Sequence, residues 1–272
     1  MKINIGIAQI SAKGDKDLNI KNISEMTRNL AKKGADIIVY PEMWNCPYNH
    51  KYFKKFAENK YETSYNTMKN LAKELNVYIV GGSIPIKFGE KIYNESFVFN
   101  RQGEEIYNYK KLHMFDVKFK NGREFKESNS VEFGDKLGVF NTEFGKMGIG
   151  ICYDLRFPEM FKYMKDLGAE IFFVPGNFTI ETGSYHWELL LRSRAVDFQS
   201  FFIGASVARD EDLSKNSYAH SIVADPMGDV LLNLGTDQCE RVIEIDLEKI
   251  KSTEEKLPID KSREVVGKII NL

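Results

Sequence analysis

Strand-length apolar runs alternate with helix-length amphipathic segments over the first eighty residues, and the alternation returns between about 145 and 208. Such a chain has to pack helices onto sheets, apolar face against apolar face. In the first half, residues 3–10 (INIGIAQI), 36–40 (DIIVY) and 77–80 (VYIV) read as strands. Residues 17–33 carry Leu18, Ile23, Met26, Leu30 and Ala31 at near-helical spacing, and 61–75 carry Tyr65, Met68, Leu71, Ala72 and Leu75. Gly34 supplies a stop after the first helix, and Gly81-Gly82 ends the third strand. In the second half, residues 147–151 (MGIGI), 171–174 (IFFV) and 201–208 read as strands, with helices at 159–167 and 185–198.

Hairpins follow each half. Residues 95–100 and 104–109 are joined by Arg101-Gln102-Gly103, and 221–224, 230–234 and 242–245 are further strands with tight turns. The stretch 112–130 has no clear period and reads as a long functional loop. From about 247 the chain is charged, and a helix followed by a tail is expected. No linker or low-complexity segment interrupts the 272 residues. The expectation is one α/β domain over 1–272, its two halves alike in architecture but not in sequence.

Composition narrows the function. Lys and Arg number 38 against 39 Asp and Glu, a balance that argues against a nucleic-acid partner. No apolar stretch reaches the roughly 18 residues of a membrane span, and the N-terminus lacks the apolar core of a signal peptide. Cys46, Cys152 and Cys239 are odd in number and far apart, and His50, His113, His186 and His220 are scattered. Neither set has disulfide-framework or metal-ligand spacing. The reading is a soluble, cytoplasmic protein without metal or cofactor.

Position singles out a few side chains. Cys152 follows the strand at 147–151 and precedes a helix starting near Pro158. A nucleophile at such a turn sits at the carboxyl edge of a sheet, beside a backbone N–H (that of Tyr153) that can meet an oxyanion. Gly148 and Gly150 allow close packing beside it. Position alone also fits a small buried side chain, a common fate of a free cysteine. Glu42 follows the strand at 36–40 and Pro41; a buried acid there could move protons, whereas a solvated one would do nothing. Lys110 and Lys111 end the strand at 104–109 and could meet a negative oxygen or simply face solvent.

Together these positions form a pattern. Glu42 lies in YPEMWNCPY (40–48), Lys111 in YKKLHMFD (109–116), and Cys152 in GICYDLRFPE (150–159). These blocks resemble the signature blocks of the nitrilase superfamily, the carbon–nitrogen hydrolases. The resemblance runs from Ile7 to Asp246 and takes in FKES (125–128), HWELL (186–190), RSRAVD (192–197) and DPMG (225–228). Within the superfamily the omega-amidases are the most similar group, through NCPY (45–48), PGNFT (175–179), Thr182-Gly183, His186-Trp187 and ASVARD (205–210). Asn177 and Val207 stand where that group has proline-bearing, alanine-rich versions of the segments.

The resemblance implies a four-layer αββα sandwich, a homodimer or higher homo-oligomer with the helix at 185–198 and the C-terminal tail as candidate interface elements, and a catalytic set of Glu42, Lys111 and Cys152 with Glu127 as second glutamate. It further implies attack by Cys152 on a small-molecule amide, proton transfer by Glu42, and an oxyanion held by Lys111 and the Tyr153 N–H, through a thioester. Glu127 would hold Lys111 and the substrate amide. A thiolate beside an ammonium should have a lowered pKa. The substrates implied are terminal amides of small dicarboxylic acids, such as 2-oxoglutaramate and 2-oxosuccinamate, giving the dicarboxylate and ammonia.

Tyr48, Asn177, Phe178, Thr182 and His186 are the implied pocket residues, with Trp44 and Phe115 as further walls. Arg156 could reach a substrate carboxylate, but pairing with Asp154, Glu159 or another acid is the expectation. His113 and His220 are assigned to structure. The alternatives are an N-carbamoyl amine or deaminated glutathione hydrolase, and a non-catalytic binding protein on the same fold.

Overall fold

The computed structural model describes residues 1–118, 122, 124–259 and 262–263. In chain order the first half holds β1 (Lys2–Gln9), α1 (Lys16–Lys32), β2 (Ile37–Val39), α2 (His50–Phe56), β3 (Glu58–Asn59), α3 (Thr63–Leu75), β4 (Tyr78–Val80), β5 (Ile84–Phe88), β6 (Lys91–Phe99) and β7 (Glu105–Lys110). A small hairpin, β8 (Asp116–Lys118) and β9 (Glu124–Lys126), follows. The second half holds β10 (Val139–Thr142), β11 (Gly145–Ile149), α4 (Pro158–Asp166), β12 (Ala169–Gly176), α5 (Ile180–Phe198), β13 (Phe201–Ser206), β14 (Ile222–Ala224), β15 (Val230–Asn233), β16 (Cys239–Asp246) and α6 (Glu248–Lys256).

Two large sheets form. One runs β16-β1-β2-β4-β6-β5-β3, with β7 on the other side of β6; the second runs β10 to β15 in order. The C-terminal strand β16 returns to lie antiparallel to β1, Lys2 facing Asp246 and Gln9 facing Cys239. Alternation along β1 sends Ile3, Ile5 and Ile7 into the apolar core shared with Met147, Ile149 and Phe173 of the second sheet. The opposite parity, Ala8 with Ile10, joins Ile23, Met26 and Leu30 of α1 and Met68 and Leu71 of α3. Helix, sheet, sheet and helix therefore stack as an αββα sandwich.

Local chemistry explains the elements. Asp15 caps α1 by accepting the Leu18 N–H, and buried residues at 19, 23, 26, 27 and 30 form its inner stripe. Thr179 caps α5, whose Trp187, Leu191, Ala195 and Phe198 face inward. Gly148 makes the close packing possible: a Cβ there would lie 2.8 Å from Phe172 and 2.9 Å from Met164.

The structure amends the sequence reading in three places. The stretch 112–130 is not structureless, since it contains the β8–β9 hairpin and a 3₁₀ turn at Glu127–Asn129. Helix α5 begins five residues before position 185, because the Thr179 cap rather than the first apolar repeat starts it. Elements α2, β3, β5 and β10 were not foreseen. Most of the expected C-terminal tail beyond α6 lies outside the described residues.

Candidate active site

Glu42 stands just past the end of β2, fully buried. Its loop is held from β4's end: Ser83 N–H donates to Pro41 O at 3.2 Å, and Ser83 Oγ accepts the Met43 N–H at 3.1 Å. Gly82, at φ +58°, makes this fit possible, because a Cβ there would sit 2.0 Å from Pro41 O. Lys111 follows β7. Its N–H donates to Asn94 O on β6 at 2.9 Å, so the β6–β7 register delivers its side chain inward.

The Lys111 ammonium is fully buried between two carboxylates. Nζ donates to Glu42 Oε1 at 2.9 Å and to Glu127 Oε2 at 2.8 Å, with Tyr48 Oη at 3.4 Å. Asn94, which sequence reasoning missed, bridges the same carboxylates: Nδ2 donates to Glu42 Oε1 at 2.9 Å and to Glu127 Oε1 at 3.2 Å. The Phe115 N–H also donates to Glu127 Oε2, at 2.8 Å. Glu42 Oε2 is buried and takes no hydrogen bond from a nitrogen or oxygen among the described residues, leaving one oxygen turned to accept a proton.

Cys152 begins the 3₁₀ turn Cys152–Arg156 after β11, with φ at +51°. A non-glycine residue in the left-handed region is strained, and such strain gathers at functional turns between strand and helix. Met43, beside Glu42, shares the feature at φ +52°. Gly176, at the end of β12, has space for no Cβ: Trp187 would be 2.7 Å away, and the Cys152 backbone lies just beyond.

Electrostatics corrects one expectation. Burial pushes the Cys152 thiol well up, Glu42 adds to this, and Lys111 with a hydrogen bond from the Asn177 backbone pulls down too weakly to compensate. The sulfur therefore rests as a thiol, not as the preformed thiolate that the ammonium suggested. Burial also raises Glu42; Lys111 opposes this and Glu127 reinforces it. For Lys111, burial pulls down, yet Glu127 and Glu42 together hold the ammonium well above the usual lysine range. The cluster is an ammonium between acids, facing a protonated sulfur whose nearest base is Glu42.

Around Cys152 an inner pocket of about 10 Å³ is lined by Tyr48, Phe115, Tyr153, Arg156, Asn177, Phe178 and Thr182. That is room for about one water. Tyr48, Phe115 and Asn177 also line a vestibule of about 310 Å³, walled further by Tyr52, Phe125, Asn216 and Ser217. His186 stands behind this wall, with Nδ1 at 3.3 Å from Arg156 Nη1. Trp44 is no wall: it is fully buried against Tyr40 and donates to Gly81 O. Val207 is buried too.

Arg156 overturns its expected pairing. It makes no ion pair among the described residues; its guanidinium lies 5.4 Å from the Tyr153 ring and 5.2 Å from the Phe178 ring, with Nε buried and unpartnered. Asp154, its expected partner, bonds His113 instead. Among the described residues no group of three or more His, Cys, Asp or Glu is arranged to hold a metal ion, and no helix is long and apolar enough to cross a membrane.

The family model for carbon–nitrogen hydrolases matches residues 4–255. The chain belongs to the carbon–nitrogen hydrolase family. It is 36% identical over 255 residues to omega-amidase NIT2 of Homo sapiens, covering 94% of this chain and 92% of that one. To hydrolase C26A3.11 of Schizosaccharomyces pombe it is 38% identical over 246 residues, 90% of this chain and 76% of the other. The solved structure of Saccharomyces cerevisiae Nit3, a member of branch 10 of the nitrilase superfamily, superposes with a TM-score of 0.88 at 35% identity over 96% of each chain. This carbon–nitrogen hydrolase is thus an omega-amidase-like enzyme on the superfamily's αββα sandwich.

Proposed function

We propose that this carbon–nitrogen hydrolase cleaves the terminal carboxamide of small dicarboxylic acid monoamides, such as 2-oxoglutaramate and 2-oxosuccinamate, into the dicarboxylate and ammonia. The observation that carries the substrate class is Arg156. A guanidinium without an acid partner among the described residues, set between two aromatic rings in the pocket that holds Cys152, is suited to a carboxylate on the substrate. The relatives named as omega-amidases support the same class.

The mechanism follows from the charges. Glu42 Oε2 takes the thiol proton as Cys152 attacks the amide carbon, so base and nucleophile act together. The carbonyl oxygen gains negative charge beside the Lys111 ammonium and the Tyr153 N–H; removing one such donor costs about 3 kcal/mol in barrier. Glu42 then hands the proton to the departing ammonia, leaving a thioester. Water next loses a proton to Glu42 as it attacks the thioester, and the acid leaves with the thiol restored. Glu127 and Asn94 keep Lys111 and Glu42 in register throughout.

A five-carbon monoamide exceeds the inner pocket, so it has to use the mouth that Tyr48, Phe115 and Asn177 share with the vestibule. The aromatic vestibule favours a second reading, a longer amide such as deaminated glutathione. We read the enzyme as cytoplasmic and as a homodimer. Tyr185, Leu189 and Val196 form one exposed apolar stripe on α5, and sedimentation of Leu189→Asp against wild type tests the dimer.

The deciding assay is ammonia release from 2-oxoglutaramate, N-carbamoyl-β-alanine, glutamine and deaminated glutathione. The expected outcome is release from 2-oxoglutaramate, absent in Cys152→Ala, with Arg156→Met raising KM about tenfold to a hundredfold as a charge-assisted contact is lost. Release from another substrate alone sinks the dicarboxylate reading.

A further inference from the structure

The mechanism leaves the buried carboxylate beside the nucleophile unused. Asp154 is fully buried, two residues past the nucleophile. Four donors fill it. Oδ1 accepts the His113 N–H at 3.0 Å and His113 Nδ1 at 2.7 Å; Oδ2 accepts Tyr109 Oη at 2.8 Å and the Ile151 N–H at 2.8 Å. Tyr109 Oη accepts in turn from the Leu112 N–H at 3.3 Å. Two segments meet at this one side chain. Tyr109, Leu112 and His113 bracket Lys111, while Ile151 immediately precedes Cys152. The segments belong to different sheets, and no ladder among the described residues joins them.

We propose that Asp154, with His113 as its outer arm, is the positioning residue that holds the Lys111 segment against the Cys152 turn and thereby sets the reactivity of the sulfur. The proposal rests on the roles given above to Lys111 and Cys152. Bonds to an ionised carboxylate are about twice as strong as neutral ones, so four of them make a stiff joint. The joint matters because a misplacement of about 1 Å at a reacting pair can cost about a hundredfold in rate. His113 is suited to the outer arm. Its ring stacks on Phe157 with centroids 3.7 Å apart, and its side chain is 32% exposed. Nδ1 donates to Asp154 Oδ1 in the form that carries its proton there.

The test needs no substrate. Iodoacetamide alkylation of Cys152, followed by mass spectrometry of its peptide, reads the sulfur directly. It would be run near neutral pH on the full chain as wild type, His113→Ala, His113→Asn, Asp154→Asn and the His113→Ala/Asp154→Asn double variant. Asparagine puts an N–H donor as many bonds from Cα as His Nδ1, so it can rescue the joint. His113→Ala and Asp154→Asn are expected to slow alkylation about tenfold or more. His113→Asn should stay within about threefold of wild type, and the double variant should be no slower than the slower single. With 2-oxoglutaramate, kcat should fall in His113→Ala while KM holds.

Wild-type alkylation in His113→Ala overturns the proposal, as does a His113→Asn no faster than the alanine variant, or additive losses. If Asp154→Asn fails to fold, the two His113 variants decide the matter. A wild type inactive on 2-oxoglutaramate sinks the substrate reading and leaves the alkylation series standing.

Discussion

Both large sheets set three parallel strands between antiparallel neighbours: β1, β2 and β4 in one, β11, β12 and β13 in the other. Both place a buried functional side chain just past a parallel strand, with a residue in the left-handed region at the turn. What they deliver differs. The first sheet brings Glu42, Lys111 and Asn94, two charged groups and the amide that bonds to Glu42. The second brings Cys152, Tyr153 and Arg156 after β11, and Asn177 and Phe178 after β12, which line the inner pocket together. On the proposed mechanism, one strand plan used twice separates the acid–base groups from the covalent one, and the interface between the sheets is where they meet. Losses on the second sheet should therefore be absolute, and losses on the first graded.

Cys152→Ala is the largest expected effect: amide turnover falls to background. Glu42→Gln comes next, with turnover lower by about a hundredfold to ten-thousandfold. The same variant should alkylate at Cys152 faster than wild type, since Glu42 helps to push the thiol up. Opposite signs in the two assays would sharpen the comparison; slower alkylation in Glu42→Gln would break it. In wild type, with the thiol raised, the alkylation rate should climb with pH beyond the ordinary thiol range instead of levelling near neutrality.

Lys111→Met strands two buried carboxylates. Denaturant unfolding near neutral pH should show a loss of about 3–5 kcal/mol, with turnover down about a hundredfold to a thousandfold. The smallest effect lies one residue along β6. Burial pushes Glu95 up to about 7, opposed by Lys110 and Lys60 and assisted by Glu105. A raised acid stabilises the fold below its unfolded value of 4.5, and that stability is lost as pH rises through about 7. The ceiling for this loss is about 3 kcal/mol. Melting curves of Glu95→Gln against wild type should coincide below about pH 4.5, draw apart as the pH rises to about 7 and stay apart above it, the variant being the more stable. Equal curves at all pH values would mean that Lys110 and Lys60 neutralise Glu95 fully.

The sandwich was legible because its core strands are short, apolar and glycine-bounded, and because α1, α3, α4 and α5 keep one periodic apolar face. What escaped notice lacks those marks. Helix α2 (HKYFKKF) hides two buried phenylalanines among lysines, and Pro85 disguises β5, which sits toward the sheet edge where proline is tolerated. Glu42, Lys111, Glu127 and Cys152 were visible through their motif blocks, and the structure draws them into one cluster. Asn94 was not. It reads as an ordinary polar strand residue, and only the β6–β7 register puts its amide between two acids. Arg156 misled because acids stand near it in sequence, whereas the turn spends Asp154 on His113 and aims the guanidinium into the pocket.

The sulfur in the inner pocket has a kinetic consequence. On the proposed route, the departing ammonia and the incoming water have to stand in turn beside the same acyl carbon. The two half-reactions therefore cannot overlap: the first product has to vacate before hydrolysis begins. Added ammonia would then compete with water for the acyl-enzyme and return it to amide, so labelled ammonia should appear in unconsumed substrate before the acid product builds up.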